Sequence, residues 1–334
     1  MRRLLLACAL LVGCNERGGG TPDAFPDAGP ELPDAGGDPA TLADTGLYSD
    51  PAGQVLAPGV LEYEVSWELW ADGASKRRFV FLPDGEVIDS ADMDFWVLPV
   101  GTKIWKEFSV DGTRLETRLI WKRGPELEDW FAVAFAWNAE GTEAVAVPLG
   151  EDDALGTAHD IPRQNDCHRC HDRQPDFVLG FAAIQLDHEQ GDMNLGALVE
   201  AGALSNTPAG PAPYFPLPGS PTARAALGYL HGNCGGCHYA QSDVQEQTPL
   251  QLKLLVGSLG AVNETPAYQT AVGQPEAKPL GGDVTAIIAP GNHMASAVWY
   301  RMGVRGNMTG MPPLASEAVD DDGRESVSLW IDAL

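Results

Sequence analysis

The chain has 334 residues, with 47 acidic and 21 basic side chains, so its formal net charge is −26. Nucleic-acid binding requires a basic face, and direct adsorption to anionic lipid requires positive charge, so the composition disfavours both. A protein partner that docks through charge should itself carry a basic docking face.

The first residues have the pattern of an export signal. Arg2 and Arg3 precede an apolar run over Leu4 to Val12, which is too short to span a bilayer. The run ends in Leu11-Val12-Gly13-Cys14, which resembles the lipobox of bacterial lipoproteins. The resemblance implies that residues 1–13 are a signal peptide and that Cys14 is lipidated. It also implies a place in the cell envelope, periplasmic or exposed at the outer surface, with membrane attachment through the lipid anchor only.

Residues 14–45 are rich in Gly, Pro, Asp and Ala, a composition that predicts a disordered tether. Between 46 and 150, aromatic and β-branched runs alternate with turn dipeptides, which predicts an antiparallel β-sandwich-like domain. Seven of the nine tryptophans lie in this domain. We interpret them as core residues rather than a ligand-binding aromatic face. The predicted strands are Val60–Leu69, Arg78–Leu82, Phe95–Leu98, Lys103–Val110, Arg114–Trp121, Trp130–Trp137 and Ala144–Val147.

Helical patterns follow. Residues 151–221 contain a short predicted helix, Leu195–Ala201, and a proline-rich linker. Residues 222–334 predict a mostly α domain, in which Thr222 is the expected N-cap of a helix over Ala223–Leu230. A final amphipathic helix carries Val327, Trp330, Ile331 and Leu334 on one face. The sequence therefore predicts an α+β multidomain chain.

Two Cys-x-x-Cys-His motifs occur, at Cys167–His171 and Cys234–His238. This spacing lets two thiols bond the two vinyl groups of one haem while the following histidine ligates its iron. The motifs predict two covalent haem c groups. A shared zinc site is disfavoured by the 63 residues between Cys170 and Cys234. The expected attachment residues are Cys167, Cys170, Cys234 and Cys237, and the expected iron ligands are His171 and His238.

The second motif lies in a familiar order of elements. The elements around it resemble a class I cytochrome c domain over residues 222–334: a helix, the Cys-x-x-Cys-His motif, a Met311-Pro312 segment and a final helix. The resemblance implies His238 as proximal and Met311 as distal iron ligand, with Met308 as a rival. It also implies an insertion around 241–285 and a close contact between Gly228 and Trp330.

The first motif has no such frame. Its distal ligand is open among Met193, His188 and His159, and the site could also be open to small molecules. Over nearly the whole mature chain, the order of parts resembles a group of poorly characterised exported bacterial cytochrome-like proteins.

These patterns predict an electron-transfer protein that works with a redox partner, rather than a catalyst. Two alternatives stay open. One is a di-haem peroxidase or oxidase with an open first haem. The other is a ligand-binding β-domain with haem as the sensor.

Overall fold

The computed structural model describes residues 37–276, 278, 280–307 and 309–334. The predicted signal peptide, Cys14, the tether up to residue 36 and Met308 lie outside these residues. The described chain combines one large antiparallel sheet with short helices. The strands are β1 Tyr48–Asp50, β2 Val55–Leu56, β3 Val60–Tyr63, β4 Ser75–Phe81, β5 Lys103–Val110, β6 Thr113–Lys122, β7 Trp130–Trp137 and β8 Ala144–Ala146. The α-helices are α1 Gln164–His171, α2 Ala183–Leu186, α3 Leu195–Glu200, α4 Pro221–Asn233, α5 Pro266–Ala271, α6 Ala297–Met302 and α7 Asp321–Asp332.

Strands β3 to β8 form a six-stranded antiparallel meander in sequence order, while β1 and β2 pair separately. The tight connections follow from residues that tolerate positive φ. Asp111 and Gly112 join β5 to β6 with φ of 49° and 79°, a geometry that matches the twist of a two-residue hairpin. Strands β5 and β7 have the predicted limits. The strand predicted over Phe95–Leu98 instead makes an isolated bridge between Asp89 and Val97.

Both faces of the sheet are buried, one by a segment that includes the small β1–β2 sheet and the other by a segment of short helices and loops. Cross-strand register places Phe79, Trp105, Leu119 and Val133 in one row and Val80, Ile104, Ile120 and Ala132 in a row on the opposite face. The first row packs against the segment from residue 42 to 57. The second row packs against residues 177–204, which follow the first cysteine motif. The predicted sandwich-like domain is therefore a six-stranded sheet, covered on one face by the segment that carries β1 and β2 and on the other by residues 177–204.

The packing also crosses the predicted boundaries of the tether and the β-domain. Leu42–Thr45 form a 3-10 turn, and Leu42 is fully buried in the core of the sheet. The ordered body thus begins before residue 46. At the other end, residues 177–204 complete the sheet core, so the segment after residue 150 and the β-domain share one hydrophobic core.

Helix α4 begins two residues earlier than predicted, because Ser220 and not Thr222 is its N-cap. The Ser220 hydroxyl accepts a hydrogen bond from the Ala223 N–H at 3.2 Å, which satisfies one of the free donors of the first turn. Helix α4 packs against α7. Their shared core includes Leu227, Trp330 and Ile331, whereas Leu334 is 38% exposed.

The closest approach to α4 comes from the N-terminal half of the chain. A Cβ added at Gly228 would overlap the indole of Trp67, so the glycine contact expected from Trp330 is made by Trp67 instead. Trp67 is further fixed by its own N–H, which donates to Gln185 Oε1 at 3.0 Å. The absence of a side chain at Gly228 therefore lets the two halves of the chain meet.

We expect Gly228→Ala to destabilise the full chain by about 1–3 kcal/mol, because the new methyl group forces the Trp67 indole to move, although alanine is the better helix former. Urea unfolding at neutral pH measures the change. Gly257→Ala is the matched control, because its Cβ would meet no atom within 4 Å. Equal stabilities of the two variants would contradict the packing described above.

Candidate cofactor-attachment sites

The first motif lies on α1, whose last residue is His171. Positions i, i+3 and i+4 of a helix share a face, so Cys167, Cys170 and His171 point to one side. Both thiols are free and partly buried. Burial raises the pKa of Cys167 and of Cys170, so both thiols stay protonated at neutral pH. The two protonated thiols therefore lie on the same helix face as the histidine.

The His171 imidazole is fixed in one tautomer. Its Nδ1 lies 2.5 Å from the carbonyl oxygen of Phe177, and a carbonyl can only accept, so Nδ1 carries the proton. The lone pair of Nε2 is then free to bind a metal, which is how a ligating histidine is usually oriented. Burial lowers the pKa of His171 to about 4, so the ring is neutral near pH 7.

Phe177 presents its carbonyl through an unusual backbone conformation. Its φ is 61°, a left-handed value that is costly for a bulky residue. The ring is fully buried, stacks on Trp130 at 5.7 Å between centroids, and lies 4.9 Å from the His171 ring. This packing offsets the strain. Sequence reasoning did not single out Phe177, because its main-chain conformation depends on distant partners.

A buried carboxylate precedes that turn. Asp176 accepts hydrogen bonds from Lys122 Nζ at 2.5 Å, from the Leu98 N–H at 2.6 Å and from Trp130 Nε1 at 3.2 Å. The three donors belong to β6, β7 and the loop before β5. The residues after the first motif are therefore bound to the sheet. Like Phe177, Asp176 was not predicted from the sequence.

The second motif forms a turn directly after α4, where Cys234 is the C-cap. The His238 N–H donates to the Cys234 carbonyl at 2.9 Å. Burial raises the pKa of Cys234 to about 12, so this thiol is also protonated. Nδ1 of His238 is buried and has no hydrogen-bond partner within the described residues. Burial lowers the pKa of His238, although the Leu250 backbone acts in the opposite direction.

The Met311 segment is anchored by two arginines. The Met311 N–H donates to the Arg301 carbonyl at 3.0 Å, and Arg305 Nη1 donates to the Met311 carbonyl at 3.1 Å. The positive charge of Arg301 also lowers the pKa of His238, which places Arg301 close to both. Met311 itself is partly buried.

The two motifs meet in space, although the sequence separates them by 62 residues. Gln174 Nε2 donates to the Gly236 carbonyl at 2.5 Å. The Tyr239 hydroxyl donates to the Arg173 carbonyl, and Arg173 forms an ion pair with Asp243. The residues after one motif therefore bind the residues within and after the other.

The three distal candidates of the first motif are all engaged elsewhere. Met193 is 1% exposed and belongs to the sheet core. In His188, Nδ1 accepts the Gln190 N–H, so Nε2 donates to the Glu64 carbonyl. Nε2 of His159 lies 2.8 Å from a carboxylate oxygen of Glu116. Each of the three side chains therefore has contacts of its own among the described residues.

Comparisons with protein-family models, with curated proteins and with solved structures gave no match. Among the described residues, no group of three or more His, Cys, Asp and Glu side chains is arranged to hold a metal ion by itself. Over the same part of the chain, none of the helices combines the length and the apolar character that crossing a bilayer requires.

We expect Asp176→Asn to destabilise the full chain by about 3 kcal/mol, because it leaves the buried Lys122 ammonium without a counter-charge. Denaturant unfolding at neutral pH measures the loss. The matched control is Asp172→Asn, since this carboxylate is 52% exposed and its loss should change stability by less than about 0.5 kcal/mol. If Asp176→Asn were as mild as the control, the sheet would not depend on this ion pair.

Proposed function

We propose that this protein is a haem c electron-transfer protein of the bacterial cell envelope, with one haem at each motif. The observation that carries the proposal is the contact between the motifs, made by Gln174 with Gly236 and by Arg173 with Tyr239 and Asp243. An electron carrier with two centres requires them to be close together. These contacts keep the two candidate attachment sites next to each other.

The residues of each site fit the group. At the first, Cys167 and Cys170 would hold the haem while His171 offers Nε2. At the second, Cys234 and Cys237 would hold it beside His238. When bound, haem iron supplies a centre that accepts and releases one electron. The Phe177 carbonyl keeps the proton of His171 on Nδ1. In the same tautomer of His238, the proton would lie on the buried Nδ1, which has no hydrogen-bond partner among the described residues.

The arrangement of residues 222–334 supports a cytochrome c-like unit. Helix α4 leads into the motif, α7 closes the chain, and the two helices pack together. The Met311 segment lies between them in sequence and is held by Arg301. We therefore propose Met311 as the distal ligand to the iron of His238, where a thioether favours the reduced state.

The charge of the chain suggests its partner. With a net charge of −26, the protein should attract a redox partner with a basic docking face and repel nucleic acid. We propose that lipidated Cys14 holds the protein at the membrane. The lipid anchor would be its membrane contact.

We expect two haem masses per molecule when the protein is exported together with haem-maturation factors. Replacing Cys167 and Cys170 by alanine should remove one of them, and replacing Cys234 and Cys237 should remove the other, because each pair of thiols holds its own group. Intact-mass analysis with a haem stain measures the number. Protein without any added haem mass would overturn the proposal.

A second candidate function rests on the first site alone. His188, His159 and Met193 are all committed to other contacts. That leaves the side of the iron opposite His171 without any of its predicted ligands. Such an iron could bind a small molecule, as in a peroxidase or an oxidase.

We expect the reduced, doubly loaded protein to bind one CO per molecule, because only the second site has an internal distal ligand in Met311. Optical titration with CO gives the stoichiometry. Met311→Ala should raise it to two, whereas Met294→Ala, at a methionine that is 60% exposed, should leave it at one. A wild-type protein that binds no CO would exclude this second function.

A further inference from the structure

The loop between β3 and β4 (residues 64–74) reaches from the sheet to the end of α4. The Trp70 N–H donates to Asn233 Oδ1 at 2.7 Å, and Asn233 Nδ2 donates to the Glu68 carbonyl at 3.0 Å. Asn233 is the last residue of α4 and directly precedes Cys234. The β3–β4 loop therefore binds the chain at the point where it enters the second motif.

The same loop also binds the C-terminal segment 316–318. The Asp72 carboxylate accepts hydrogen bonds from three donors of this segment: the Ser316 hydroxyl at 3.0 Å, the Glu317 N–H at 3.0 Å and the Ala318 N–H at 2.9 Å. Trp70 Nε1 donates to the Ala318 carbonyl at 3.0 Å. The β3–β4 loop thus connects the end of α4 to the segment that follows the Met-Pro sequence.

The contacts of Asp72 go beyond what its turn requires. Asp72 and Gly73 have φ of 52° and 82°, and Asp111 and Gly112 of the β5–β6 hairpin have nearly the same values. Asp111 is exposed, and its carboxylate forms no hydrogen bond within the described residues, so an Asp-Gly turn forms without such contacts. Asp72 instead directs its carboxylate to Ser316, 244 residues later. Hydrogen bonds to an ionised acceptor are stronger than those between neutral groups.

A chain of hydrogen bonds leads from Asp72 to Met311. The Ser316 hydroxyl, which donates to Asp72, accepts from Arg305 Nε at 3.1 Å. Arg305 Nη1 donates to the Met311 carbonyl at 3.1 Å. Ala315 has φ of 57°, a left-handed value that costs energy in any residue with a Cβ, and these bonds lie on both sides of it. Two side chains therefore connect the Asp72 carboxylate to the main chain of Met311.

We propose that Asp72 is a positioning residue for the second site. It holds the Met311 segment in a fixed place relative to the end of α4, and so keeps the Met311 thioether available to the iron of His238. The inference rests on the proposed function and adds the β-domain as an element of this site. Ordering a segment costs conformational entropy, so a segment that is ordered beforehand binds a ligand partner more readily.

The first test is amide hydrogen exchange on the full chain, with and without haem. Asp72→Gly removes the carboxylate and keeps a residue that adopts positive φ easily. We expect the N–H groups of Glu317 and Ala318 to exchange at least about tenfold faster in this variant, because they lose a charged acceptor. Asp72→Asn should retain the protection, since Oδ1 alone accepts from all three donors. Asp111→Gly is the matched control and should change nothing in this segment.

The second test is CO titration of the reduced, doubly loaded protein. Asp72→Gly should bind one CO more than the wild type, because a loosened Met311 segment leaves the second iron open. Asp72→Asn and Asp111→Gly should bind as many CO molecules as the wild type. If Asp72 only stabilised the fold, its loss would lower the midpoint of urea unfolding without adding a CO site.

The outcomes separate this inference from the proposed function. Protein without haem at the second motif overturns both, and so does a Met311→Ala variant that binds no additional CO. If Met311→Ala binds one CO more but Asp72→Gly does not, the positioning role alone is wrong. Unchanged exchange of Glu317 and Ala318 in Asp72→Gly would likewise overturn the positioning role alone.

Discussion

The buried carboxylate of Asp176 joins the sheet to the first motif, and much of the remaining geometry depends on it. It is the only counter-charge of Lys122 among the described ion pairs, and both side chains are almost fully buried. Removing either side chain would leave the other as an uncompensated buried charge, which strongly destabilises the fold. Because Phe177 is the next residue, the ion pair also determines where the Phe177 carbonyl lies, and that carbonyl orients His171. The tautomer of the histidine is thus determined by a sheet more than forty residues away in sequence.

Local patterns predicted local elements well. Strands β5 and β7 and the buried face of α7 follow from alternation or helical period within a few residues, and such periods depend little on the rest of the chain. The antiparallel sheet was predicted, but the layers that cover it were not, for a physical reason. A continuous apolar run such as that of β7 shows that both faces of a strand are buried, but it does not show what buries them. Residues 177–204 cover one face without strand periodicity, so nothing local identified them as the second layer.

The relative standing of the two motifs changed for a similar reason. Sequence favoured the second motif, because its helix, Met-Pro segment and final helix are readable along the chain. The first motif has the better oriented histidine. Its partner is a main-chain carbonyl presented by a left-handed Phe177, and no residue type marks such a turn in advance. The contact of Gln174 with Gly236 was equally unpredictable, since it joins two segments that lack a shared pattern.

The charge of the molecule is distributed in a way that composition cannot reveal. The chain is strongly acidic, yet the sheet face toward the first motif is locally basic. An acidic exterior suits attraction of a basic partner. Arg78, Lys106 and Arg118 are register partners on β4, β5 and β6, and like charges directly opposite one another oppose folding. Glu68 and Glu116 offset part of this repulsion through their ion pairs with Arg78 and Arg118. Lys106 has no ion pair among the described residues, and burial together with the neighbouring cations lowers its pKa. The sheet therefore tolerates these three side chains by pairing the two arginines and by favouring the neutral form of the lysine between them.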